Sequence, residues 1–266
     1  MPERLLYHKM VVFFMSAGLQ RVPIHYQNVK GIRSELYRGY TAWARDALRG
    51  EIIESTACFN RFSEMKLNLP MVEIVSFSDA NRIGQYLRPN TILLSSNLLS
   101  GYLTLRGIYG PNDGGFGLKV SEVIAHENVH RFRAQNNLDR RMSTPQGRFL
   151  SRQIEEYTAV LGSLSYIIMY GYGNYLEEVK ESTKTANRLY PQSTGTMKDA
   201  IYPVAYNLSL SICLRKDFDP ERELNALLRS DMIDILKGVV NYLGSPEIES
   251  GVNRILRWES TAPRKR

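Results

Sequence analysis

Cysteine is scarce in this chain: its 266 residues include two, Cys58 and Cys213, which stand 155 positions apart in mostly apolar surroundings. That is too few for a disulfide framework, and although the two could pair, buried free thiols in a reducing compartment are the simpler reading. Long apolar runs are missing as well. Met10–Leu19 (MVVFFMSAGL) follows a charged start and carries Ser16-Ala17-Gly18, but it is too short to span a bilayer. It is read as a buried element, with no membrane partner expected and a cytoplasmic location. No internal repeat or low-complexity segment appears, which leaves no basis for a solenoid or a linker array. Glycines and prolines crowd residues 107–117, yet no Lys-Ser or Lys-Thr follows them, so a phosphate-binding loop is disfavoured.

What is present is ordinary for a soluble globular protein: 43% hydrophobic and 23% charged residues, enough for one sizeable core. Lys and Arg number 34 against 27 Asp and Glu, a formal net charge of +7. No stretch concentrates that excess. Arg131, Arg133, Arg140, Arg141, Arg148 and Arg152 come closest, and a solvated basic surface explains them better than a nucleic-acid groove.

Histidine is the informative scarcity. The chain has four, and two of them are His126 and His130, with Glu127 between. From Lys119 to Gln135 the apolar residues Val120, Val123, Ile124, Val129 and Phe132 recur at helical spacing, uninterrupted by Gly or Pro. Residues four apart stack on one face of a helix, so both imidazoles can reach one metal ion, with Glu127 beside them. This is the His-Glu-x-x-His pattern, in which the Glu is a general base. The bland alternative is a helix whose histidines satisfy neighbouring carboxylates.

A zinc site built this way needs a third protein ligand and leaves one position open. Thr144 as N-cap and Pro145 at the first turn open a second helix expected to reach about Tyr170, with Leu150, Ile154, Tyr157, Leu161, Leu164 and Ile168 as its apolar stripe. Off that stripe lie Ser151, Thr158, Ala159, Gly162 and Ser163, small residues that suit close helix approach. Glu155 and Glu156 sit among them, and Glu156, 26 positions after His130, is the chosen ligand, with Glu155 as the alternative.

Upstream, residues from Val29 to about Arg61 read as helical, broken at Gly50, with a second helix over Glu51–Met65. Met71–Phe77, Ile83–Leu87 and Thr91–Ser95 read as strands, with a turn at Asp79-Ala80-Asn81 and a break at Pro89-Asn90. A short helical piece follows at Asn97–Leu103. Downstream, amphipathic helix is expected over Tyr175–Leu189, over Met197–Leu214, from Asp219-Pro220 onward, and on either side of Gly244-Ser245-Pro246.

In its motif order, over roughly residues 70–172, the chain resembles the gluzincin-type zinc metallopeptidases and their compact minigluzincin core. The matches are the strands Met71–Phe77 and Thr91–Ser95, then His126, Glu127 and His130, then Glu156-Tyr157-Thr158-Ala159, whose Ala favours Glu156 over Glu155. The resemblance implies zinc held by His126, His130 and Glu156, which polarises the scissile carbonyl and acidifies water. Glu127 would take the water's proton and pass it to the leaving amine. Thr91–Ser95 would be the edge strand that pairs with an extended peptide or protein substrate. Many relatives carry an Asp after that Ala to orient an imidazole, whereas this chain has Val160. An oxyanion-stabilising Tyr or Arg would also be needed, and Tyr190, Tyr202 and Tyr206 are candidates; His8 and His25 have no motif around them.

The expectation is therefore an α+β protein, mostly helical overall, with a zincin-like core of small sheet, His-Glu-x-x-His helix and Glu-bearing helix surrounded by further helices. Residues 1–68 form an N-terminal packing region, 69–172 the core and 173–266 a C-terminal helical region, together one compact unit. The expected function is zinc-dependent peptide hydrolysis, as an endopeptidase rather than an exopeptidase. The alternative is an inactive zincin-fold binding or structural subunit.

Overall fold

The computed structural model describes residues 24–26, 34–75, 77, 83–95, 116–139, 142–170 and 201–261. Met10–Leu19, Asp79–Asn81, Asn97–Leu103, Tyr175–Leu189 and the loop residues 107–115 lie outside them. The described elements are helical for the most part, with a small mixed sheet.

The sheet has four strands: β1 (Ile24–Tyr26), β2 (Met71–Val75), β3 (Gly84–Leu87) and β4 (Thr91–Ser95), in the order β1-β2-β4-β3. The first two pairings are parallel and the last is antiparallel. β1 had no counterpart among the expected strands; its three residues are too few for a period-2 signal. A larger difference concerns the edge. Thr91–Ser95 is not an edge strand but an interior one, paired with β2 on one side and β3 on the other. The turn at Arg88–Asn90 folds Gly84–Leu87 back along the outside of β4, which covers that strand's second row of hydrogen-bonding groups. Burial follows this order: Ile92 and Leu94 are fully buried, whereas no residue of β3 is. The Ser95 amide donates to the Ile83 carbonyl, so the amides and carbonyls of Gly84 and Tyr86, one residue out of phase, point away from β4.

Helix α1 runs unbroken over Ser34–Phe62, through Gly50. A mid-helix glycine costs only about 1 kcal/mol. Burial of Leu48 and Ile52 on either side, at roughly 1.5–3 kcal/mol per side chain, outweighs that cost. Helix α2 (Phe116–Gln135) carries the motif and starts slightly before the expected stretch. One of its faces, Val120, Val123 and Ile124, packs with Val72, Ile74, Ile92 and Leu94 of the sheet and with Leu48 and Ile52 of α1. Another, Ala125, Val129 and Phe132, enters a second cluster with Phe59, Leu161 and Leu164. Helix α3 (Pro145–Met169) begins where its cap residues predict: the Thr144 hydroxyl accepts from the Gly147 amide at 3.0 Å.

The remaining helices are α4 (Ile201–Cys213), α5 (Pro220–Leu227, capped by Asp219), α6 (Met232–Leu243) and α7 (Pro246–Thr261). α4 packs along α3, and α5 closes the cluster that holds Phe59, Phe132 and Leu161 by adding Leu224 and Leu227. Cys58 and Cys213 are both buried and free in that cluster, and burial pushes their thiols up to about 11 and about 12. Among the described residues no helix is long and apolar enough to cross a membrane.

Two of the arginines assigned to a solvated basic surface are fully buried instead. Arg131 donates to Asn90 Oδ1 (2.7 Å), to Asn128 Oδ1 (2.8 Å) and to the Asn68 carbonyl. Arg133 donates to Asp139 Oδ1 (2.8 Å) and to the carbonyls of Leu227 and Ser230. A guanidinium with five fixed donors suits such internal carbonyl and amide acceptors, so these two side chains join elements and add nothing to a surface patch.

Candidate metal centre

Helix α2 presents His126 and His130 one turn apart, and their Nε2 atoms lie 3.2 Å from each other. α3 brings Glu156 up to both: its Oε2 is 3.3 Å from His126 Nε2 and 3.6 Å from His130 Nε2. The two helices come this close because small residues line their contact. Thr158, Ala159 and Ser163 are fully buried, and a Cβ on Gly162 would stand 2.7 Å from Val129 Cγ2. Glu156, His126 and His130 are the one group of ligating side chains, among the described residues, close enough to hold a metal ion. Glu155, the preceding residue of α3, is outside that group.

The spacing can be tested against an ion. Tetrahedral zinc with bonds of about 2.0–2.1 Å holds its ligand atoms about 3.3–3.4 Å apart. The three observed separations, 3.2, 3.3 and 3.6 Å, bracket that value. All three atoms belong to donor types that divalent transition metals accept, two imidazoles and one carboxylate. The cluster can therefore hold a metal ion. It also stays within reach of solvent, with His126 and His130 side chains 13% and 17% exposed.

Glu127 is not one of the three clustered residues. It is buried beneath β3, where the Tyr86 backbone N–H donates to its carboxylate. Burial raises its pKa; the neighbouring His126 and His130 and that N–H oppose the rise, Glu156 adds to it, and the net shift is upward.

The metal-free triad is electrostatically coupled. Burial alone would lower the His130 pKa, but the Glu156 carboxylate outweighs it, and His130 is pushed up to about 9. Burial alone would raise Glu156, and the two imidazoles reverse this, holding it well below the usual carboxylate range. These shifts link the stability of the fold to pH. His130's contribution is complete below its ordinary value of 6.5 and is lost as pH rises through about 9. Glu156's contribution is present above its ordinary 4.5 and is lost as pH falls. The raised Glu127 acts in the same direction as His130. In chelator, the wild-type melting temperature is thus expected to fall from pH 6.5 to pH 9. His130→Ala should flatten that fall, and an unchanged slope in the variant would show that the triad is not its source.

Two acidic residues near the triad, Asp139 and Glu122, were not among the candidates read from the sequence. Val160 is fully buried, and no carboxylate occupies its position. Asp139, held by Arg133, is close enough for its charge to raise the His130 pKa. Glu122, one turn before His126, is buried and accepts a hydrogen bond from the Tyr206 hydroxyl. Of the tyrosines considered for oxyanion stabilisation, Tyr190 and the side chain of Tyr202 lie outside the described residues, and the Tyr206 hydroxyl is directed to Glu122. Glu122 is one of many polar residues on its helix, and its partner lies 84 positions away, so neither gave a local signal. Scanned against protein-family models, curated proteins and solved structures, the chain matches none of them, so the case for its function rests on the geometry of the triad.

Proposed function

We propose that the chain is a zinc-dependent peptidase of the gluzincin type, with His126, His130 and Glu156 as ligands and Glu127 as general base. The observation that carries this reading is the triangle of ligand atoms, whose edges suit tetrahedral zinc, set beside a buried carboxylate that is not a ligand. When bound, zinc would polarise a carbonyl and acidify water. Glu127 would take the proton of the attacking water and deliver it to the leaving amine. Its burial, which raises its pKa, moves its basicity toward neutrality and so suits that work. The strand available to an extended peptide is β3 rather than β4, because β3 is the sheet's outer strand on that side and lies against Glu127. Partly exposed ligands favour a site that substrate can enter.

The second reading is a zincin-fold binding or structural subunit without activity. It is favoured by Val160, which leaves out the imidazole-orienting carboxylate of the resembled family. The two are separated by incubating zinc-reconstituted protein with fluorescein-labelled casein, beside the same protein in chelator. Peptidase activity predicts fragments in the first sample, none in the second, and recovery when zinc is returned. Intact casein in all three, with zinc bound, would leave the binding-subunit reading.

A further inference from the structure

We infer that Gly84, on the outer strand, is a positioning residue for the reacting carboxylate: the space left by its missing side chain is where Glu127 sits. This inference rests on the peptidase reading above. A Cβ on Gly84 would lie 2.8 Å from Glu127 Oε1, 2.8 Å from Val123 Cγ1 and 3.1 Å from Glu127 Cγ. Real side chains do not tolerate the two shorter contacts. The three nearest atoms belong to Glu127 and Val123, and none to His126, His130 or Glu156.

Conformation does not explain the glycine. Among the described residues the one glycine with positive φ is Gly244, and Gly84 sits in register opposite Leu94 as an ordinary strand residue. Glycine inside a strand packs nothing and costs entropy, so its use here answers to space. The neighbouring backbone adds a second constraint, since the Tyr86 N–H, two residues along on the same outward row, donates to the same carboxylate. β3 thus limits how far Glu127 can rise toward the strand, and its Tyr86 N–H favours the ionised carboxylate. The metal ligands, anchored on α2 and α3, are independent of it.

The test compares Gly84→Ala in two backgrounds, wild type and Glu127→Ala, in cobalt-loaded protein. The visible bands of cobalt respond to the groups around the ion, including those beyond its ligands. Gly84→Ala should retain one equivalent of cobalt, shift the visible bands, and slow casein hydrolysis by roughly 100-fold, the cost of a misplacement of about 1 Å. In Glu127→Ala, adding Gly84→Ala should shift the bands no further. Equal shifts in both backgrounds would overturn the inference, as would an unshifted spectrum with unchanged hydrolysis. If the wild type takes up no cobalt, the peptidase reading has failed by itself. Melting temperatures of the metal-free proteins then decide the contact: Gly84→Ala should lower the value at least twice as much with Glu127 as without it, and equal drops would overturn it.

Discussion

Arg131→Ala is expected to destabilise the fold by roughly 3–5 kcal/mol, a large part of the 5–15 kcal/mol that holds a typical domain. The side chain is fully buried, and its three donor groups serve Asn90, Asn128 and the Asn68 carbonyl. Those acceptors are joined in turn to other elements. Asn90 Nδ2 donates to the Leu69 carbonyl, and Asn128 Nδ2 donates to Ser55 Oγ of α1 at 2.7 Å. One guanidinium therefore ties α2 to the β3–β4 turn, to the approach of β2 and, through Asn128, to α1. Alanine leaves Asn128 Oδ1 and the Asn68 carbonyl without that donor and adds a cavity, while Asn90 Oδ1 keeps Gln135 Nε2 at 3.4 Å; each stranded acceptor costs about 1–3 kcal/mol. Arg131→Lys should recover only part of the loss, since one ammonium cannot match the fork. Urea denaturation measures both variants. A change under 1 kcal/mol for alanine would mean that water or other side chains serve those acceptors equally well.

The second large effect concerns chemistry. Glu127→Gln is expected to leave zinc bound at the wild-type level and to reduce casein hydrolysis by at least roughly 100- to 10,000-fold, the range general-base catalysis supplies. Gln keeps the shape and one acceptor oxygen, so the contact with Gly84 and the hydrogen bond from Tyr86 can persist. What it lacks is a lone pair able to take a proton. The ligand atoms on His126, His130 and Glu156 are untouched. Loss of hydrolysis together with loss of zinc would place Glu127 in the metal site's support instead. Undiminished hydrolysis would remove it from the mechanism.

Local signals carried most of what could be read in advance. The helical period from Val120 to Phe132, the Thr144 cap and the small residues from Thr158 to Ser163 each depend on neighbours within a turn or two. Together they were enough to identify α2, α3 and the three residues that converge. Failures arose where the deciding partner is far along the chain. Arg131 and Arg133 look like surface charge until the acceptors near residues 68, 90, 227 and 230 are known. Strand order has the same character: the composition of Thr91–Ser95 is that of a strand, but whether it is an edge depends on how its predecessor folds back. Gly50 misled for another reason, because a helix with buried residues on both sides of a glycine easily outweighs one unfavourable propensity. The Gly84–Glu127 contact joins positions 43 apart and has no local signature at all.

Two of the three separations that suit zinc, 3.2 and 3.3 Å, are also hydrogen-bond lengths, so a histidine pair satisfied by a buried carboxylate is the competing explanation of the triad. Metal analysis of the purified protein separates them. Wild type, His130→Ala and Glu156→Ala should be measured after zinc reconstitution and removal of excess. A metal centre predicts close to one zinc per chain in the wild type and its loss in both variants. A wild type that retains no zinc would contradict the account, and the three side chains would then be a buried hydrogen-bonded cluster without a metal role.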